Sequence, residues 1–511
     1  MTELAALVRT SSAVTATASR TAKIGALAAL LRQVRPDELP IAIAFMSGEA
    51  RQGKLAVGSA ALREALVAPS PQPALTLHEV DEAFETIKQA RGKGSPERKL
   101  AVLRSLFARA DAEEQDFLQR LIRGELRQGA LEGLLLEALA LAAGAPPERV
   151  RRAASFAGSM VPVAQAVLAH GPAALERFSV QLMQPVTPML AQPAADIESA
   201  LRALGSARLD WKLDGARVQV HKSMDAVRVY TRSLNDVTAA VPEVVAAVHA
   251  APAATAILDG EAIALRPDGR PYPFQTTMRR LGRREDHAES RETLPLSVFF
   301  FDCLLLDGAP LVDAPLEARR EALVRAVRPE HVVPSLVTSD AGEARAFYEQ
   351  ALRAGHEGAM VKAPGSPYEA GRRGANWLKV KREHTLDLVV LAAEWGHGRR
   401  RGRLSNLHLG ARDPERGAFA MLGKTFKGLT DEMLAWQTRE LLERQRAAGE
   451  GVVHVRPELV VEVAFNDIQA SPQYPAGMAL RFARVKRYRP DKTPDEADSI
   501  DTVRRLFEAQ S

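Results

Sequence analysis

Residues 210–222, DWKLDGARVQVHK, place a lysine where its amine could carry out chemistry. Lys212 stands two residues before an Asp-Gly pair, a dipeptide that is typical of tight turns. The residues after the pair alternate as in a β-strand. A lone Lys-x-Asp-Gly arises by chance, and an isolated match is ordinarily a solvated surface lysine. The alternative is that Lys212 is a nucleophile held between a strand and a turn.

Five further segments follow Lys212, and each carries charged or aromatic side chains in or beside a short run. They are LDGEAIAL with Glu261, FFFDCLLLDG with Phe301, EGAMVK with Glu357 and Lys362, WLKVKRE with Lys379 and Lys381, and RFARVKRYRPDK with Arg481, Arg484, Arg487, Asp491 and Lys492. Six separated segments in one order are hard to attribute to chance, so the pattern favours the nucleophile.

Glu261 and Glu357 each stand beside a glycine at the edge of an apolar run. We expect an acid in this position to lie at a strand end and to point into a cleft. Oxygen ligands such as carboxylates and phosphates are those that Mg²⁺ prefers. The ordinary alternative is a turn carboxylate in solvent, and it stays open for either residue taken alone.

The residues before this set are predicted to be helical from the N-terminus to about residue 180. RTAKIGALAALLRQV and DAEEQDFLQRLIRGELRQGALEGLLLEALALAAG carry apolar residues at three- and four-residue spacing. VAPSPQPALT and GKGSPER are rich in Pro, Gly and Ser and are predicted to be loops. QPVTPMLAQPA, residues 184–194, contains three prolines and is predicted to connect two domains.

The rest of the chain shows two different patterns of predicted strands and helices. Over 184–383, runs such as ARVQVHK, TAILDGEAIAL and EGAMVK predict strands, and VPEVVAAVHAA and LEARREALVRAV predict helices between them. Over 384–511, short strands recur and one predicted helix, DEMLAWQTRELLERQRAAG, interrupts them. The sequence thus predicts three domains: an all-α domain over 1–183, an α+β domain over 184–383 and a small β-barrel over 384–511.

The composition fits a large protein of a reducing compartment. Apolar residues make up 46% of the 511 residues, and 68 Lys and Arg against 63 Asp and Glu leave a net charge of +5. This surplus permits a polyanionic partner without demanding one. The single cysteine, Cys303, excludes an internal disulfide. Neither a signal peptide nor a membrane span is evident, so we expect a cytoplasmic location.

The motifs and their order resemble the covalent nucleotidyltransferase superfamily, and most closely the ATP-dependent DNA ligases of the bacterial accessory type. The resemblance covers the whole chain. SRTAKI and LIRGELRQGALEGLLLEALA are similar to the helical DNA-binding domain of these ligases, the central motifs to the adenylation domain, and the last part to an OB-fold that ends in a basic motif. Capping enzymes and RNA ligases share the central motifs, whereas the helical domain and RFARVKRYRPDK narrow the resemblance to DNA ligases.

The resemblance implies that the chain joins a 3′-hydroxyl to a 5′-phosphate at a nick in three steps. The amine of Lys212 attacks the α-phosphorus of ATP, the AMP moves to the DNA 5′-phosphate, and the 3′-hydroxyl then displaces AMP. An ordinary lysine has a pKa of about 10.4, so little free amine is present at neutral pH. We expect Lys379, Lys381 and a bound Mg²⁺ or Mn²⁺ to lower the pKa of Lys212.

The resemblance also implies roles for single residues. Glu261 and Glu357 would bind the metal, and Glu261 would also contact the ribose. Phe301 matches the aromatic residue that stacks on adenine, and Asp210 matches the position that helps to select adenine. The other matches are cationic nucleotide contacts: Arg217 and Arg232 for ribose and nick phosphates, Arg373 or its neighbour Arg372 for the nucleotide, and Lys379 and Lys381 for the triphosphate.

The C-terminal motif is implied to act on both ATP and DNA. Arg484 and Lys492 would reach the pyrophosphate when the OB-fold closes, and a hinge near KREHTLD would let it swing away to enclose DNA. A solvated basic strand is the ordinary alternative. Expected phosphate contacts in the N-terminal domain are Arg20, Lys23, Arg123, Arg127 and the Gly92–Lys93–Gly94 loop, each equally open to interpretation as a surface charge.

Two other functions stay open. An RNA ligase or capping-type transferase would share the central motifs, although the long helical domain argues against it. A non-catalytic nick-binding protein is disfavoured by the intact lysines and acids. The resemblance therefore implies a monomeric, cytoplasmic, nucleoid-associated bacterial DNA ligase that uses ATP. Its expected partner is nicked double-stranded DNA, in repair, replication or recombination, with no membrane association.

Overall fold

The structure is a computed structural model that describes residues 1–126, 132–282, 294–449 and 451–510. Its N-terminal part is helical, as the apolar spacing predicts. The helices are α1 (Leu4–Ala16), α2 (Arg20–Gln33), α3 (Leu39–Ser47), α4 (Ser59–Ala65), α5 (Leu77–Gln89), α6 (Ser95–Ala108), α7 (Ala112–Arg123), α8 (Glu132–Ala143), α9 (Pro147–Ala157) and α10 (Met160–His170), and a 3₁₀ helix follows at Pro172–Arg177.

Local sequence signals set the ends of these helices. Asp111 and Glu114 form a capping box at the start of α7, and Gly124, with φ at 70°, ends that helix. The prediction of a loop over GKGSPER is wrong in its second half. Helix α6 begins at Ser95 because Pro96 fits the first helical turn, where its missing N–H costs nothing.

The apolar faces of the helices share one core. Phe45, Phe84 and Phe107 are completely buried in it. Burying one such ring stabilises the fold by roughly 1.5–3 kcal/mol. This core contains no residue of the six segments that carry the candidate site residues. The core of the helical part is therefore separate from the site.

The middle of the chain forms two sheets, with strand orders β1-β10-β9-β2-β8 and β4-β3-β5-β6-β7 among the described residues. The strands are β1 (Leu190–Pro193), β2 (Ala207–Lys212), β3 (Ala216–Ser223), β4 (Ala226–Thr231), β5 (Thr255–Ala264), β6 (Leu296–Leu306), β7 (Ala309–Pro310), β8 (Ser335–Thr338), β9 (Gly358–Lys362) and β10 (Arg373–Lys381). The helices are α11 (Ile197–Leu204), α12 (Pro242–His249), α13 (Phe274–Gly282), α14 (Leu316–Ala326) and α15 (Ala341–Arg353).

Each sheet packs helices against one face and meets the other sheet with its remaining face. Helices α11 and α15 pack on the first sheet, and α12 and α14 pack on the second. Trp377, Tyr368 and Phe301 belong to the cluster that joins the two sheets. Side chains that point between the sheets are therefore the ones placed for chemistry.

The connector predicted over 184–194 is wrong at its end, because residues 190–193 form β1. This strand pairs in parallel with β10 at the edge of the first sheet. An edge strand tolerates proline, since its outer N–H groups need no partner in the ladder. Of the three prolines only Pro193 lies in the strand, at its last position, and it does not prevent the pairing.

The C-terminal part is an antiparallel sheet that curls into a half-barrel, consistent with an OB-fold. In chain order the strands of this part are β11 (His384–Trp395), β12 (Leu404–Asp413), β13 (Ala418–Thr425), β14 (Gln445–Ala448), β15 (Val452–Val455), β16 (Val460–Phe465), β17 (Asp467–Ala470), β18 (Met478–Arg481) and β19 (Arg484–Tyr488). Among them, β17 and β18 pair with each other as a separate hairpin beside the sheet. Strand β11 pairs with β12 on one side and with β15 and β16 on the other, which bends the sheet.

The helix predicted over residues 431–449 is shorter than expected. Helix α16 covers Asp431–Glu443, and the residues after it form β14, which pairs with β15. Pairing with a sheet edge outweighs the helical propensity of the Ala-rich end. A further helix, α17 (Ile500–Gln510), closes the domain and was not predicted. Throughout the ranges that the structure describes, no helix is long and apolar enough to cross a membrane.

Candidate active site

Lys212 is the last residue of β2, and a close contact shapes the turn after it. A Cβ atom at Gly215 would lie 2.4 Å from the carbonyl oxygen of Ala262 and 2.9 Å from Cγ of Glu261. Only glycine fits at such distances. The Asp-Gly pair therefore brings β5 and its acid against the turn, and the predicted place of Lys212 between strand and turn is confirmed.

Strand register gathers three lysines on one face of the first sheet. Lys212 lies opposite Gly358 of β9, which lies opposite Lys381, and Met360 lies opposite Lys379. Residues directly opposite each other share a face, and so do residues two apart on one strand. Lys212, Lys379 and Lys381 thus project from the same face.

Glu357 immediately precedes β9 and pairs with two of these lysines. Its Oε2 lies 2.5 Å from Nζ of Lys212, and Nζ of Lys381 donates a hydrogen bond of 2.6 Å to its Oε1. The expected position of Glu357 at a strand end is confirmed. The same expectation is wrong for Glu261, which lies inside β5, because the apolar residues after it continue to pair with β6.

Carboxylates dominate the surroundings of the Lys212 amine. Burial alone would lower the pKa of Lys212, but Glu357, Glu261 and Asp214 outweigh burial and raise that pKa. In the chain alone, without the metal that the expectation includes, the pKa of Lys212 is therefore raised and not lowered. Burial raises the pKa of Glu261 to about 7, and burial together with the charge of Glu357 raises that of Asp214 to about 7. This negative charge must be neutralised before Nζ becomes a free amine.

The same acids fit a divalent cation in an open site. In the described part of the chain, no group of three or more His, Cys, Asp or Glu side chains is arranged to hold a metal. Mg²⁺ is commonly bound by one or two carboxylates, with water and substrate phosphates as its other ligands. A buried acid such as Glu261, whose pKa is raised, gains from a cation that takes the place of its proton. Glu261 and Glu357 suit that pattern.

Arg217 is held in place by residues that sequence reasoning missed. Asp259 accepts hydrogen bonds of 3.0 Å from its Nε and 2.6 Å from its Nη2, and the carbonyl oxygen of Met189 accepts one of 2.7 Å from Nη1. The hydroxyl of Tyr368 donates to Asp259 at 2.7 Å. The guanidinium lies 5.5 Å from the centre of the Phe301 ring. Arg217 is thus fixed beside the aromatic residue expected to stack on the base.

Comparisons with known proteins place this geometry in a family. The family model described as ATP dependent DNA ligase domain matches residues 188–381, that of the ATP dependent DNA ligase C terminal region matches 400–492, and that of the DNA ligase N terminus matches 68–140. A protein of Anaeromyxobacter sp. (strain Fw109-5), named "Probable DNA ligase", is 59% identical over 511 residues, which is 99% of this chain and 98% of that protein. The chain belongs to the ATP-dependent DNA ligases.

A further relative and a solved structure are also similar to this ligase. A "Probable DNA ligase" of Sorangium cellulosum (strain So ce56) is 53% identical over 98% of this chain and 94% of its own. The solved structure named Pmar-Lig_PreS3 has a TM-score of 0.62 at 17% identity, over 94% of this chain and 99% of that one. This structural similarity shows that the fold is shared over nearly the whole length.

Asp210 and Phe301 meet at a buried lysine of the ligase. Oδ2 of Asp210 lies 2.6 Å from Nζ of Lys362, and the same ammonium lies 4.8 Å from the centre of the Phe301 ring. The sequence contains Lys362 within EGAMVK, but nothing in its spacing assigns it a role. Its signal was only that a lysine ended an apolar run.

Three predicted nucleotide contacts of the ligase lie away from this cluster or at its rim. Arg232 is exposed just after β4. Arg373 is exposed at the start of β10, where Nη1 donates to the carbonyl oxygen of Ala191 at 3.2 Å. Arg372 pairs with Glu369 at 3.3 Å. The structure therefore does not bring these arginines to Lys212.

The two C-terminal cations of the ligase are paired within or beside the OB-fold. Arg484 forms an ion pair with Glu383, and Nζ of Lys492 lies 2.6 Å from Asp387. Arg489, which sequence reasoning did not single out, shares Asp387 at 2.9 Å. Their described partners in this conformation are therefore acids of the chain.

A cleft of the ligase separates the OB-fold from the domain of Lys212. Its walls include Asp214, Glu357 and Lys381 on one side and Arg481 and Phe482 on the other. The two sides touch where the Arg481 guanidinium lies 4.7 Å from the centre of the Phe274 ring, and where Gln275 bonds Gln469 at 3.0 Å. The hairpin of β17 and β18 thus faces Asp214, Glu357 and Lys381, the neighbours of Lys212, across this cleft.

The expected DNA contacts of the N-terminal domain lie on its surface. Arg20 pairs with Glu137 at 2.6 Å, and Arg123 is the last residue of α7. Lys23 lies in the first turns of α2, and the glycines of the Gly92–Lys93–Gly94 loop have positive φ. Arg127 lies outside the described residues.

Proposed function

We propose that this DNA ligase seals nicks through an AMP adduct on Nζ of Lys212. The observation that supports this most is the place of Lys212. It ends a strand beside the cleft, with Lys379 and Lys381 on the same face of the sheet and Glu357 at 2.5 Å.

In the first step, Nζ attacks the α-phosphorus of ATP, an N–P bond forms, and the P–O bond to pyrophosphate breaks. Lys379 and Lys381 lie where they can offset the charge of the triphosphate. Nζ must first lose a proton, and the raised pKa of Lys212 opposes this loss. Mg²⁺ held by Glu261 and Glu357 would supply the positive charge that removes this obstacle.

In the later steps, AMP passes to the 5′-phosphate of a nick, and the 3′-hydroxyl displaces it. Phe301 and Arg217 hold the adenosine throughout, because base stacking and forked hydrogen bonds do not depend on the phosphate chemistry. The helical domain and the OB-fold bind the duplex backbone, Arg20, Lys23 and Arg123 among the contacts. We further infer that the ligase acts as a cytoplasmic monomer on nucleoid DNA.

The test is sealing of a nicked duplex with a labelled 5′-phosphate, with ATP and Mg²⁺, by wild type, Lys212→Ala and Lys212→Arg. The arginine variant keeps a cation beside Glu357, but a guanidinium stays protonated and cannot attack. We expect sealing by wild type alone and nick binding by all three proteins. Sealing by either variant would contradict the proposal, and joining of nicked RNA in preference to DNA would favour an RNA ligase.

A further inference from the structure

Asp387 is a buried acid of the OB-fold to which the reaction as described gives no part. Its side chain is 11% exposed, and it lies in β11 opposite Glu462 of β16. Nζ of Lys492 donates to its Oδ2 at 2.6 Å, and Nη1 of Arg489 donates to the same carboxylate at 2.9 and 3.2 Å. A carboxylate withdrawn from water is costly unless cations or donors surround it. Two cations of the C-terminal motif therefore converge on one acid.

The backbone that carries this carboxylate is itself held in place. The N–H of Asp387 donates to Oδ2 of Asp498 at 2.8 Å, and its carbonyl oxygen accepts from the N–H of Asp498 at 2.9 Å. A lysine side chain is a flexible stem, so its orientation depends on what binds its ammonium. Asp387 is thus a fixed point that determines where the Lys492 ammonium lies.

The ammonium of Lys492 can bind a second anion while Asp387 holds it. The turn around it is closed by its own N–H, which donates to the carbonyl oxygen of Arg489 at 3.1 Å. An ammonium has three donors, and the bond to Asp387 occupies one. The Lys492 side chain is 30% exposed, which leaves room for phosphate oxygens at the other two. All these residues belong to the OB-fold, so the arrangement would move with that domain when it closes.

We propose that Asp387 is a positioning residue for the first chemical step, in which it holds the Lys492 ammonium where the pyrophosphate of ATP meets the closed OB-fold. Negative charge builds on the pyrophosphate as its bond to the α-phosphorus breaks. A cation fixed in advance stabilises that charge without first having to be ordered. Closure of the nick expels AMP and involves no pyrophosphate, so it does not need this cation. The inference rests on the proposed adenylation of Lys212.

The test measures two rates in the full chain: self-adenylation from ATP and Mg²⁺, and closure of a nick whose 5′ end already carries AMP. Asp387→Asn keeps the size of the side chain but removes its charge. We expect self-adenylation at saturating ATP to slow by about tenfold or more, the effect of one charge-assisted hydrogen bond. Closure of the nick should stay near the wild-type rate. In Lys492→Ala, adding Asp387→Asn should slow self-adenylation no further, because Asp387 acts through Lys492.

Glu462 provides a matched control. It stands directly opposite Asp387, and its Oε2 accepts from Nε of Arg487 at 2.7 Å. It is therefore an acid on the same face of the sheet, bound to a different cation of the C-terminal motif. Glu462→Gln should leave both rates near those of wild type. Slowing of self-adenylation as large as that in Asp387→Asn would mean that any lost charge on this face has the effect, and would overturn the inference.

A purely structural role of Asp387 predicts another result. Equal losses in the two assays, further slowing in the double variant, or a wild-type rate of self-adenylation in Asp387→Asn would overturn the inference. If Asp387→Asn does not fold, Asp387→Glu decides, because it keeps the charge but displaces it by one methylene group. We then expect selective slowing of self-adenylation, and an unchanged rate would overturn the inference. If wild type forms no AMP adduct, the proposed function itself has failed.

Discussion

Replacing Asp259 by alanine should destabilise the central domain and loosen Arg217. The Asp259 side chain is 1% exposed and accepts from Nε and Nη2 of Arg217 and from the Tyr368 hydroxyl. Without it, a guanidinium that is only 16% exposed loses the carboxylate that accepts two of its hydrogen bonds. Breaking a buried pair on one side costs about 3–5 kcal/mol. We expect a loss of this size in the free energy of unfolding.

Two further variants separate the contributions to this loss in the free energy of unfolding. Tyr368→Phe removes only the hydroxyl bonds and should cost about 0.5–1.5 kcal/mol. Asp37→Ala removes an exposed partner of Arg35 and should change little. Hydrogen exchange of amides in β3 and β5, followed by mass spectrometry, measures the local free energy of opening.

The same variant should also weaken ATP binding, because Arg217 beside Phe301 would no longer be held in one orientation. The KM for ATP in self-adenylation should rise in Asp259→Ala and much less in Asp37→Ala. If Asp259→Ala unfolds within about 1 kcal/mol of wild type, the pair is not the buried anchor described. An unchanged KM would refute its part in positioning Arg217.

Three other outcomes are expected. Glu261→Gln should flatten the pH dependence of stability in the metal-free protein: the pKa of Glu261 is about 7 in the fold and lower when unfolded, so its contribution to stability falls as pH rises towards 7, and urea midpoints across this range would show no difference if the reasoning fails. Removing residues 1–180 should leave self-adenylation intact but weaken nick joining more steeply as salt rises, so equal joining at physiological salt would speak against a DNA-binding role. Lys492→Ala should slow adenylation from ATP yet close a pre-adenylated nick at nearly the wild-type rate; equal losses in both assays would restrict the OB-fold to DNA binding.

The parts of the fold that were predicted are those with local signals. We could predict the strand that ends at Lys212 and the turn after it, because a tight turn and an alternating run are properties of neighbouring residues. The errors arose where distant pairing decides the outcome. Residues 445–448 form a strand because β15 lies beside them, and Glu261 stays inside β5 because β6 continues to pair with it.

The order of the motifs predicted the candidate site. The residues that hold the site residues in place could not be predicted. Asp259 interrupts an apolar run and Lys362 ends one, and no local pattern distinguishes either from an ordinary polar residue in such a place. Their partners, Arg217 and Asp210, are 42 and 152 residues away in the chain. The balance of charges around Lys212 could not be predicted from the sequence either. The raised pKa of Lys212 follows from three carboxylates that the turn and two strands bring together.

The central claim is that Nζ of Lys212 carries the AMP. Wild type is incubated with ATP and Mg²⁺ without DNA, digested, and mapped by mass spectrometry under conditions that preserve the phosphoramidate. We expect AMP on the peptide that contains Lys212, and its release when a nicked duplex is added. AMP on another lysine, or sealing of the nick without any adduct on the protein, would contradict it.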